Sequence, residues 1–442
     1  MSKRTALCIV NCSGRSFTVE AVAVSGFDDP AATALAKFNG QIVPRDSSSC
    51  GYVEIKNRGA SPFSLTFTFD DGTTCVVSCD QQDARSKRDR ELTTLGTASG
   101  VVVRQRTGGD IDRTTHGTHS ITVSRADAPD HADWMRDLRA RRPGLRLCDV
   151  TMPGSHDAGM YITPTSGSFG GGKAWAQTQS LSMRDQLAAG SRYFDLRVYS
   201  DRDGTLFLAH FPGRFDLVGS YGASLAEVLR QTWEFLSSHR GETVILKFSH
   251  TDALHGGATL AGITAFVGQA LHGWQYTSDD PDVDVGRLSL DTLAGKVLTV
   301  FDDEYDGLWN AATGTFRYDD EPKDGTRAER VAAPARLGLL RVYDRYANES
   351  AFDAMYKDQR EKWLRMGGLG APYLFPLSWT ATGSSATLDV EVLANGVNPW
   401  LPRSLTAMVD GDELRPNIVY LNFVDPDLCG AIIATGGRAG AP

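Results

Sequence analysis

The beginning of the chain alternates apolar and polar positions in short runs. The runs "SFTVEAVAV", "GYVEIKN", "SPFSLTFTF" and "HSITVSR" are rich in β-branched and aromatic residues and are bounded by Gly, Asn, Asp and Ser. Alternation with a period of two is typical of strands that are buried on one face, and Asp71-Gly72 is a hairpin signal. Several short strands separated by turns predict an all-β sandwich over residues 1–125.

The pattern changes at about residue 131, where strand-like and helix-like segments begin to alternate. After a short helix in "HADWMRDLRARRPGLRL", helices are predicted in "SLSMRDQLAAG", "SLAEVLRQTWEFLSSH" and "TLAGITAFVGQALHGW". This alternation over ~300 residues favours a closed α/β barrel over residues 131–442 rather than an open sheet. The predicted strands are Leu147–Thr151, Tyr193–Tyr199, Thr205–His210, Thr243–Phe248, Val297–Phe301, Tyr373–Leu377 and Asn417–Phe423.

The composition is that of a globular protein with an acidic balance. The 442 residues are 41% hydrophobic and 22% charged, with a formal net charge of −9, which argues against an electrostatic nucleic-acid binder. No apolar run approaches the ~18 residues of a membrane span, and "MSKRTALCIVNCSGRS" is too polar for a standard signal peptide. We therefore expect a cytoplasmic protein, or one that is secreted without a standard signal peptide.

The seven cysteines are too few, and odd in number, to indicate a disulfide scaffold. Cys8/Cys12 and Cys75/Cys79 share a C-x3-C spacing, which on a strand places both side chains on one face. This spacing allows a zinc site or a disulfide, although it is uncommon in structural zinc sites. The favoured interpretation is that the cysteines are small buried hydrophobic residues.

Reactive side chains follow the apolar segments of the predicted barrel, and strand ends are where α/β barrels carry their chemistry. The corner Met152-Pro153-Gly154 is expected to end a strand and turn the chain over the barrel mouth. Two imidazoles, a fixed cation and carboxylates that orient the imidazoles suit acid–base phosphoryl transfer. Each residue alone is more often structural, so the prediction depends on the combination. The set is His156, Asp157, Asp195, Arg197 and His210.

Three motifs resemble the X domain of phosphatidylinositol-specific phospholipase C in its bacterial form. They are "MPGSHDAGMY", "GSRYFDLRVYSDRDGTLFLAH" and "GETVILKFSH", and the later "LSWTATG" and "RPNIVYLNF" are similar as well. The resemblance covers roughly residues 131 to 430 and implies an irregular TIM-type barrel. It also implies a phosphodiesterase that cleaves the glycerol–phosphate bond of phosphatidylinositol-like phospholipids through a cyclic inositol phosphate.

The resemblance implies a role for each reactive side chain. His156 falls at the general base that activates the inositol 2-hydroxyl, and His210 falls at the general acid for the diacylglycerol leaving group. Asp157 falls at the aspartate that supports the second histidine, and Arg197 at the arginine that stabilises the phosphate. Because calcium-dependent relatives have a metal carboxylate at the position of Arg197, the resemblance implies a metal-independent enzyme without a cofactor.

Three positions depart from the bacterial pattern. Asn422 falls at the aspartate that orients the general base, and an amide cannot stabilise an imidazolium as a carboxylate does; Asp425 is an alternative partner. Ser249 falls at a lysine near the inositol, with Lys247 two residues earlier on the same face, and Asp302 falls at an inositol-binding arginine. Asn422 is retained among the catalytic candidates. The candidate substrate-binding residues are Asp195, Lys247 and Trp379.

Two other functions compete with this prediction. Barrels of the glycerophosphodiester phosphodiesterase or sphingomyelinase D type need a Glu/Asp metal cluster after the first histidine, and Arg197 argues against one. The second alternative is a catalytically inactive barrel that binds lipid head groups or a protein partner, and Asn422 favours it.

The sequence also indicates how the protein meets a phospholipid substrate. The glycine-rich run "GSFGGGKAW" ends in Trp175 shortly after the first reactive residues. Aromatic side chains favour the boundary between water and lipid, so this run is a candidate for peripheral contact with a membrane surface. An ordinary surface loop is the equally weighted alternative. The β-sandwich carries no acid–base set, and we expect it to target the enzyme to membranes or partners.

Overall fold

The computed structural model describes residues 2–23, 35–56, 63–80, 91–94, 100–108, 115–127, 129–163, 165–166, 173–211, 219–252, 254–382, 389–411 and 415–437. The glycines of the run 167–172 lie outside the described residues. The chain divides into two compact units. The first comprises Met1–Pro129, Glu349–Met355 and Val392–Ala407, and the second comprises Asp130–Asn348, Tyr356–Glu391 and Met408–Pro442.

The first unit is a β-sandwich, as predicted. Its two sheets enclose one apolar core in which Ile9, Phe67 and Ile121 are fully buried. The strands are β1 Ser2–Cys12, β2 Phe17–Ala23, β3 Ile42–Val43, β4 Ser47–Lys56, β5 Phe63–Phe69, β6 Thr74–Asp80, β7 Glu91–Thr94, β8 Val101–Gly108 and β9 Thr115–Arg125. The sheet orders are β4-β1-β9-β8 and β3-β2-β5-β6-β7.

Cys8 has a different partner from the one that the C-x3-C spacing allows. Cys8 and Cys50 lie opposite each other on β1 and β4 and form a disulfide, so a pair between Cys8 and Cys12 is wrong. Cys12 and Cys75 are buried, in keeping with the interpretation of cysteine as a small hydrophobic residue.

The second unit contains a barrel of parallel strands. Its strands in chain order are β10 Met152–Ser155, β11 Thr165–Ser166, β12 Tyr193–Leu196, β13 Val198–Ser200, β14 Leu206–His210, β15 Ser220–Ser224, β16 Thr243–Phe248, β17 Lys296–Phe301, β18 Thr315–Asp320, β19 Leu339–Val342, β20 Pro376–Trp379 and β21 Ile418–Leu421. Eight of them form the sheet β19-β18-β17-β16-β12-β10-β21-β20. A parallel bridge between Val342 and Leu374 joins its two ends.

The first barrel strand differs from the prediction. Leu147–Asp149 is a turn of 3-10 helix, and the strand begins at Met152 and contains the Pro-Gly pair. Pro153 has no backbone N–H to donate, but its carbonyl accepts from the backbone N–H of Arg192 at 3.0 Å. A Cβ at Gly154 would lie 2.7 Å from a methyl group of Ile418, so the close approach of β21 requires glycine. The predicted corner at Pro153-Gly154 is therefore wrong, and the chain turns at His156-Asp157 instead.

The predicted strand Tyr193–Tyr199 is broken at Arg197, and β13, β14 and β15 leave the barrel. With β11 they form a separate antiparallel sheet of order β11-β15-β14-β13. Val198 pairs with Leu208 in this sheet. The prediction that His210 ends a barrel strand is wrong, because β14 pairs in antiparallel fashion with β13 and β15 and, among the described strands, is not part of the barrel sheet.

Helices follow most barrel strands, and the described helices include none that is long and apolar enough to cross a membrane. The predicted helix in "SLAEVLRQTWEFLSSH" is confirmed, and the hydroxyl of Ser224 caps it by accepting from the N–H of Glu227. The α-helices are Trp134–Arg141, Lys173–Ala176, Met183–Ala189, Leu225–Ser238, Leu260–Ala270, Arg327–Ala332, Phe352–Met366, Val390–Val397, Leu401–Asp410 and Pro426–Gly437.

A buried ion pair ties the entry helix to the barrel at the N-terminal end of β12. The guanidinium of Arg192 bonds Glu242 Oε2 at 2.7 Å, and both side chains are wholly buried. Arg192 also donates to the carbonyl of Ala132 at 2.8 Å, and Glu242 accepts from the N–H of Arg136 at 2.8 Å. The pair thus holds the start of the helix Trp134–Arg141.

Candidate active site

The side chains predicted from the sequence converge at the C-terminal ends of the barrel strands. Strand β10 delivers its pair directly after its last residue, β12 delivers a carboxylate and the guanidinium that follows it, and β21 delivers an amide. The last residue of β14 completes the group from the antiparallel sheet. In that order they are His156, Asp157, Asp195, Arg197, Asn422 and His210.

Two tight turns present these groups, and one segment holds both turns. Asp157 and Phe423 have positive φ angles of 43° and 53°, which are sterically unfavourable for residues with a Cβ. The hydroxyl of Thr178 donates to the carbonyl of Asp157 at 2.9 Å, and the backbone carbonyl of Thr178 accepts from the N–H of Phe423 at 2.7 Å. The surrounding hydrogen bonds therefore fix the backbone on which both turns depend.

Gln179 extends this connection. Its buried amide donates to the carbonyls of His156 at 2.9 Å and Leu421 at 3.0 Å, and its oxygen accepts the N–H of Val424 at 3.0 Å. One side chain thus links the exits of the first and last barrel strands.

His156 is held in one tautomer. Its Nε2 lies 2.8 Å from Arg197 Nη2, and because a guanidinium only donates, Nε2 accepts. The proton is then on Nδ1, which donates to Asn422 Oδ1 at 2.7 Å. Burial lowers the pKa of His156 to about 4, with the charge of Arg197 acting in the same direction and Asp157 against it. His156 is therefore a neutral imidazole with a lone pair on Nε2.

Asp157 connects the second histidine to the arginine. Its Oδ2 lies 2.5 Å from His210 Nδ1, and its Oδ1 lies 2.8 Å from Arg197 Nε. Burial alone would raise the pKa of Asp157, but Arg197 and the two imidazoles hold it below its usual range. The carboxylate stays charged and accepts the Nδ1 proton of His210, so His210 Nε2 faces away from it.

Asp195 anchors the arginine from the other side. Its carboxylate accepts from Arg197 Nε at 3.1 Å and from the hydroxyl of Ser249 at 3.0 Å, with Lys247 Nζ 3.6 Å away. Burial opposes the charge of Asp195, yet Arg197 and Lys247 hold its pKa far below the usual range. The two carboxylates together keep the guanidinium charged and leave its Nη groups directed toward His156.

Lys247 is more deeply placed than a simple head-group contact. It is 3% exposed, and Nζ donates to Asp344 Oδ2 at 2.9 Å. Burial disfavours its charge, but Asp344 and other neighbours hold its pKa well above the usual value. Tyr318 donates to the same Asp344 oxygen at 2.8 Å. The ammonium therefore lies in the wall between the catalytic group and an adjoining cavity.

That cavity has a volume of about 660 Å³ and lies beside the catalytic group. Its lining includes Lys247, His250, Asp302, Asp344 and Tyr346. A second cavity of about 480 Å³ is lined by Arg197, Tyr199, Phe211, His250, Thr251, Asp252 and Glu304. The second cavity is large enough for a polyol phosphate, and the guanidinium of Arg197 forms part of its lining.

The two tryptophans predicted from the sequence lie elsewhere. Trp379 ends β20 with 0% exposure and packs edge-to-face on Tyr356 at a centroid distance of 6.1 Å. It is not among the described residues that line either cavity. Trp175 lies on the helix Lys173–Ala176 and is half-buried.

The structure adds residues that the sequence did not indicate. Gln179 supports both turns, Tyr346 packs edge-to-face on the imidazole of His156 at 5.9 Å, and His250 lines both cavities. The only sequence signal for His250 is its place two residues after the apolar run of β16. In the described ranges, no group of three or more His, Cys, Asp or Glu side chains is arranged to hold a metal ion.

Comparison with known proteins gives relatives for part of the chain. No protein-family model matches the chain. The mouse "PI-PLC X domain-containing protein 2" is 32% identical over 145 residues, which cover 28% of this chain and 40% of the relative. The zebrafish "PI-PLC X domain-containing protein 3" is 34% identical over 143 residues, which cover 27% of this chain and 42% of that protein. The chain therefore spans less than half the length of these relatives.

Solved structures support the same relationship at the level of the fold. A phosphatidylinositol-specific phospholipase C of Staphylococcus aureus aligns with a TM-score of 0.51 and 19% identity, over 70% of this chain and 98% of that chain. A variant of the same bacterial enzyme aligns with a TM-score of 0.50 and 18% identity over the same shares. The chain resembles the phosphatidylinositol phospholipase C X-domain proteins. The predicted resemblance and the TIM-type fold of the X-like barrel are thus confirmed.

Proposed function

We propose that the X-like barrel is a phosphodiesterase that cleaves the glycerol–phosphate bond of phosphatidylinositol-like phospholipids. The proposal is carried by the opposite environments of two imidazoles around one guanidinium. Burial lowers the pKa of His156 to about 4, and its Nδ1 donates to the amide oxygen of Asn422, whereas His210 Nδ1 donates to the charged carboxylate of Asp157. We propose that the first imidazole is the general base and the second the general acid.

The proposed reaction is intramolecular transfer of the phosphoryl group. His156 Nε2 accepts the proton of the inositol 2-hydroxyl while that oxygen attacks the phosphorus. The phosphorus–glycerol oxygen bond breaks, and His210 Nε2 donates a proton to the departing diacylglycerol oxygen. The products are a cyclic inositol phosphate and diacylglycerol, with one proton taken up and one released by the protein.

Arg197 is proposed to change partners when the substrate binds. Its Nη2 lies 2.8 Å from His156 Nε2, so a phosphate oxygen that takes over this hydrogen bond frees the lone pair of the base. The guanidinium then offsets charge on the phosphate. Because Asp157 and Asp195 hold Nε from behind, the cation is positioned without a metal ion, and we propose a metal-independent reaction.

The accessory features are proposed to serve lipid contact. Ile162 is 47% exposed just beyond the turn at His156-Asp157. Trp175 follows a short way along the chain and is half-buried. We propose that this edge of the barrel touches the phospholipid surface. We also propose that residues 1–125 act as an accessory domain that targets the barrel domain of residues 131–442.

Turnover of phosphatidylinositol in detergent micelles tests the function. Phosphorus NMR should detect a cyclic inositol phosphate, and excess EDTA should leave the rate unchanged. Replacing either histidine, as His156→Ala or His210→Ala, should lower the rate by about 10²–10⁴-fold, while the exposed control His272→Ala should not. Rates of both histidine variants that stay within about tenfold of the parent rate would contradict the acid–base assignment. Loss of activity in EDTA that calcium or magnesium restores would contradict the metal-independent mechanism. A parent protein that binds phosphatidylinositol without turnover would favour the inactive barrel.

A further inference from the structure

A third histidine lies at the mouth of the barrel, beyond the two in the proposed reaction. His250 follows β16 by two residues and has a φ of 51°. This left-handed conformation is unfavourable for a residue with a Cβ, and such residues concentrate at functional sites. The backbone is held there by Asp302, whose Oδ2 accepts the N–H of His250 at 3.3 Å and whose Oδ1 accepts the N–H of Glu304 at 3.2 Å.

The imidazole of His250 is left available by this arrangement. The residue is exposed, and neither ring nitrogen makes a hydrogen bond or ion pair with any described residue. The charged groups that act most strongly on the ring are Arg197, Asp195, Lys247 and Asp302. Partial burial and the charge of Arg197 lower the pKa of His250, so at neutral pH the ring has one N–H to donate and one lone pair.

The position of the ring joins the two cavities. One cavity contains Arg197, the proposed phosphate contact, and the other contains Lys247 and Tyr346 and has room for a head group. His250 lines both. Glu304 also lines both cavities, so a phosphate at Arg197 bonded to a head group in the larger cavity would lie close to the imidazole of His250 and to this carboxylate.

We propose that the imidazole of His250 donates a hydrogen bond to a non-bridging phosphate oxygen of the substrate, across the phosphorus from Arg197. This inference rests on the proposed function, because it assumes a phosphodiester in that place. A neutral donor suits the position, since Arg197 already supplies one positive charge beside the phosphate. The unfavourable backbone is then explained as the conformation that aims the ring at the substrate.

The test uses His250→Asn, because asparagine tolerates the left-handed conformation better than most residues. His272→Asn is the matched control, since it removes an exposed histidine that lines neither cavity. We expect His250→Asn to lower kcat by about 10- to 100-fold with a smaller change in KM, because the contact strengthens as charge develops on the phosphate. The control should match the parent, and both variants should melt within a few degrees of it.

Two further measurements separate substrate contact from a structural role. In phosphorothioate analogues of phosphatidylinositol, sulfur replaces one of the two non-bridging phosphate oxygens, which gives two diastereomers. Sulfur at the oxygen contacted by His250 should slow the parent but not His250→Asn. The ratio of the rates for the two diastereomers should therefore be smaller in His250→Asn than in the parent. In NMR titrations with inositol 1-phosphate, the imidazole resonances of His250 should shift and its pKa should rise. A loss of activity with the diastereomer preference and the resonances unchanged would overturn the inference, as would unchanged kcat and KM.

These results also distinguish the inference from the function on which it rests. If the parent protein does not turn over phosphatidylinositol, the proposed function fails, and the titration with inositol 1-phosphate decides the inference alone. If the parent turns over the lipid but the His250 resonances ignore inositol 1-phosphate, the function stands and the inference fails.

Discussion

Restoring a carboxylate beside the proposed base gives the sharpest test of its electrostatic environment. Asn422→Asp replaces an amide oxygen that lies 2.7 Å from His156 Nδ1 with a negatively charged oxygen. The two side chains have nearly the same shape, so the hydrogen bond and the tautomer are kept. The change adds one charge next to an imidazole whose pKa burial now lowers to about 4.

The size of the effect follows from the contacts of the ring. An opposite charge at this distance raises the pKa of a base by about 1–3 units. Tyr420 and Tyr346 pack on the imidazole at centroid distances of 5.2 and 5.9 Å and keep water away from it, so the effect is screened only weakly. Burial of the new carboxylate acts in the opposite direction. We expect the pKa of His156 to rise from about 4 to roughly 5–7.

The pH dependence of kcat/KM measures this shift directly. The base works only when unprotonated, so activity falls as the pH drops through its pKa. The parent should lose activity near pH 4, and Asn422→Asp should lose it about 1–3 pH units higher. Asn310→Asp adds the same charge at an exposed position outside both cavities and should leave the profile unchanged. An acidic limb that does not move in Asn422→Asp would refute the assignment of His156 as the base.

Three further predictions concern parts of the molecule around the proposed chemistry. Gln179→Leu removes hydrogen bonds to His156, Leu421 and Val424, so it should destabilise the protein by about 1–3 kcal/mol, as measured by thermal melting. In steady-state kinetics it should lower kcat more than it raises KM. An unchanged melting temperature and unchanged kinetics would show that these hydrogen bonds are dispensable. Arg192→Met leaves the carboxylate of Glu242 buried without its cationic partner. It should lower the free energy of unfolding, measured in urea, by about 3–5 kcal/mol, and the double variant Arg192→Met/Glu242→Leu should recover much of this loss. A single variant as stable as the parent would contradict the prediction. Trp175→Ala should lower activity on vesicles more than on a short-chain monomeric substrate, and equal losses on both would argue against a lipid contact.

The parts of the fold that could be predicted are those where burial and periodicity agree. Strand Thr243–Phe248 was predicted with the bounds that the structure has, because every residue in it is buried and the run is continuous. The helix Leu225–Ser238 was predicted because its apolar positions share one face, and in the structure a serine caps its start. In such segments the local pattern and the tertiary environment favour the same structure.

The parts that were missed are those where tertiary partners override the local pattern. Strand β10 contains Pro153 and Gly154, which signal a turn but fit because β21 approaches closely. Strand β19 was not predicted because Arg341 interrupts its apolar run, yet the side chain is buried and paired with Glu321. Similarly, the ion pair between Lys247 and Asp344 joins positions 97 residues apart, and no spacing rule connects them.

The candidate site was predictable in its members but not in its balance of charge. Its motifs indicated two histidines, an arginine and carboxylates, whereas the substitution of Asn422 for an aspartate favoured an inactive barrel. In the structure the amide oxygen accepts the Nδ1 proton of His156, while the full charge of Asp157 lies against His210. The amide thus orients the imidazole of His156 without placing a full charge beside it, and a carboxylate orients the imidazole of His210. A carboxylate in place of Asn422 would give both imidazoles the same kind of partner, and their environments would differ less. The departure at Asn422 is therefore an argument for separated acid and base roles.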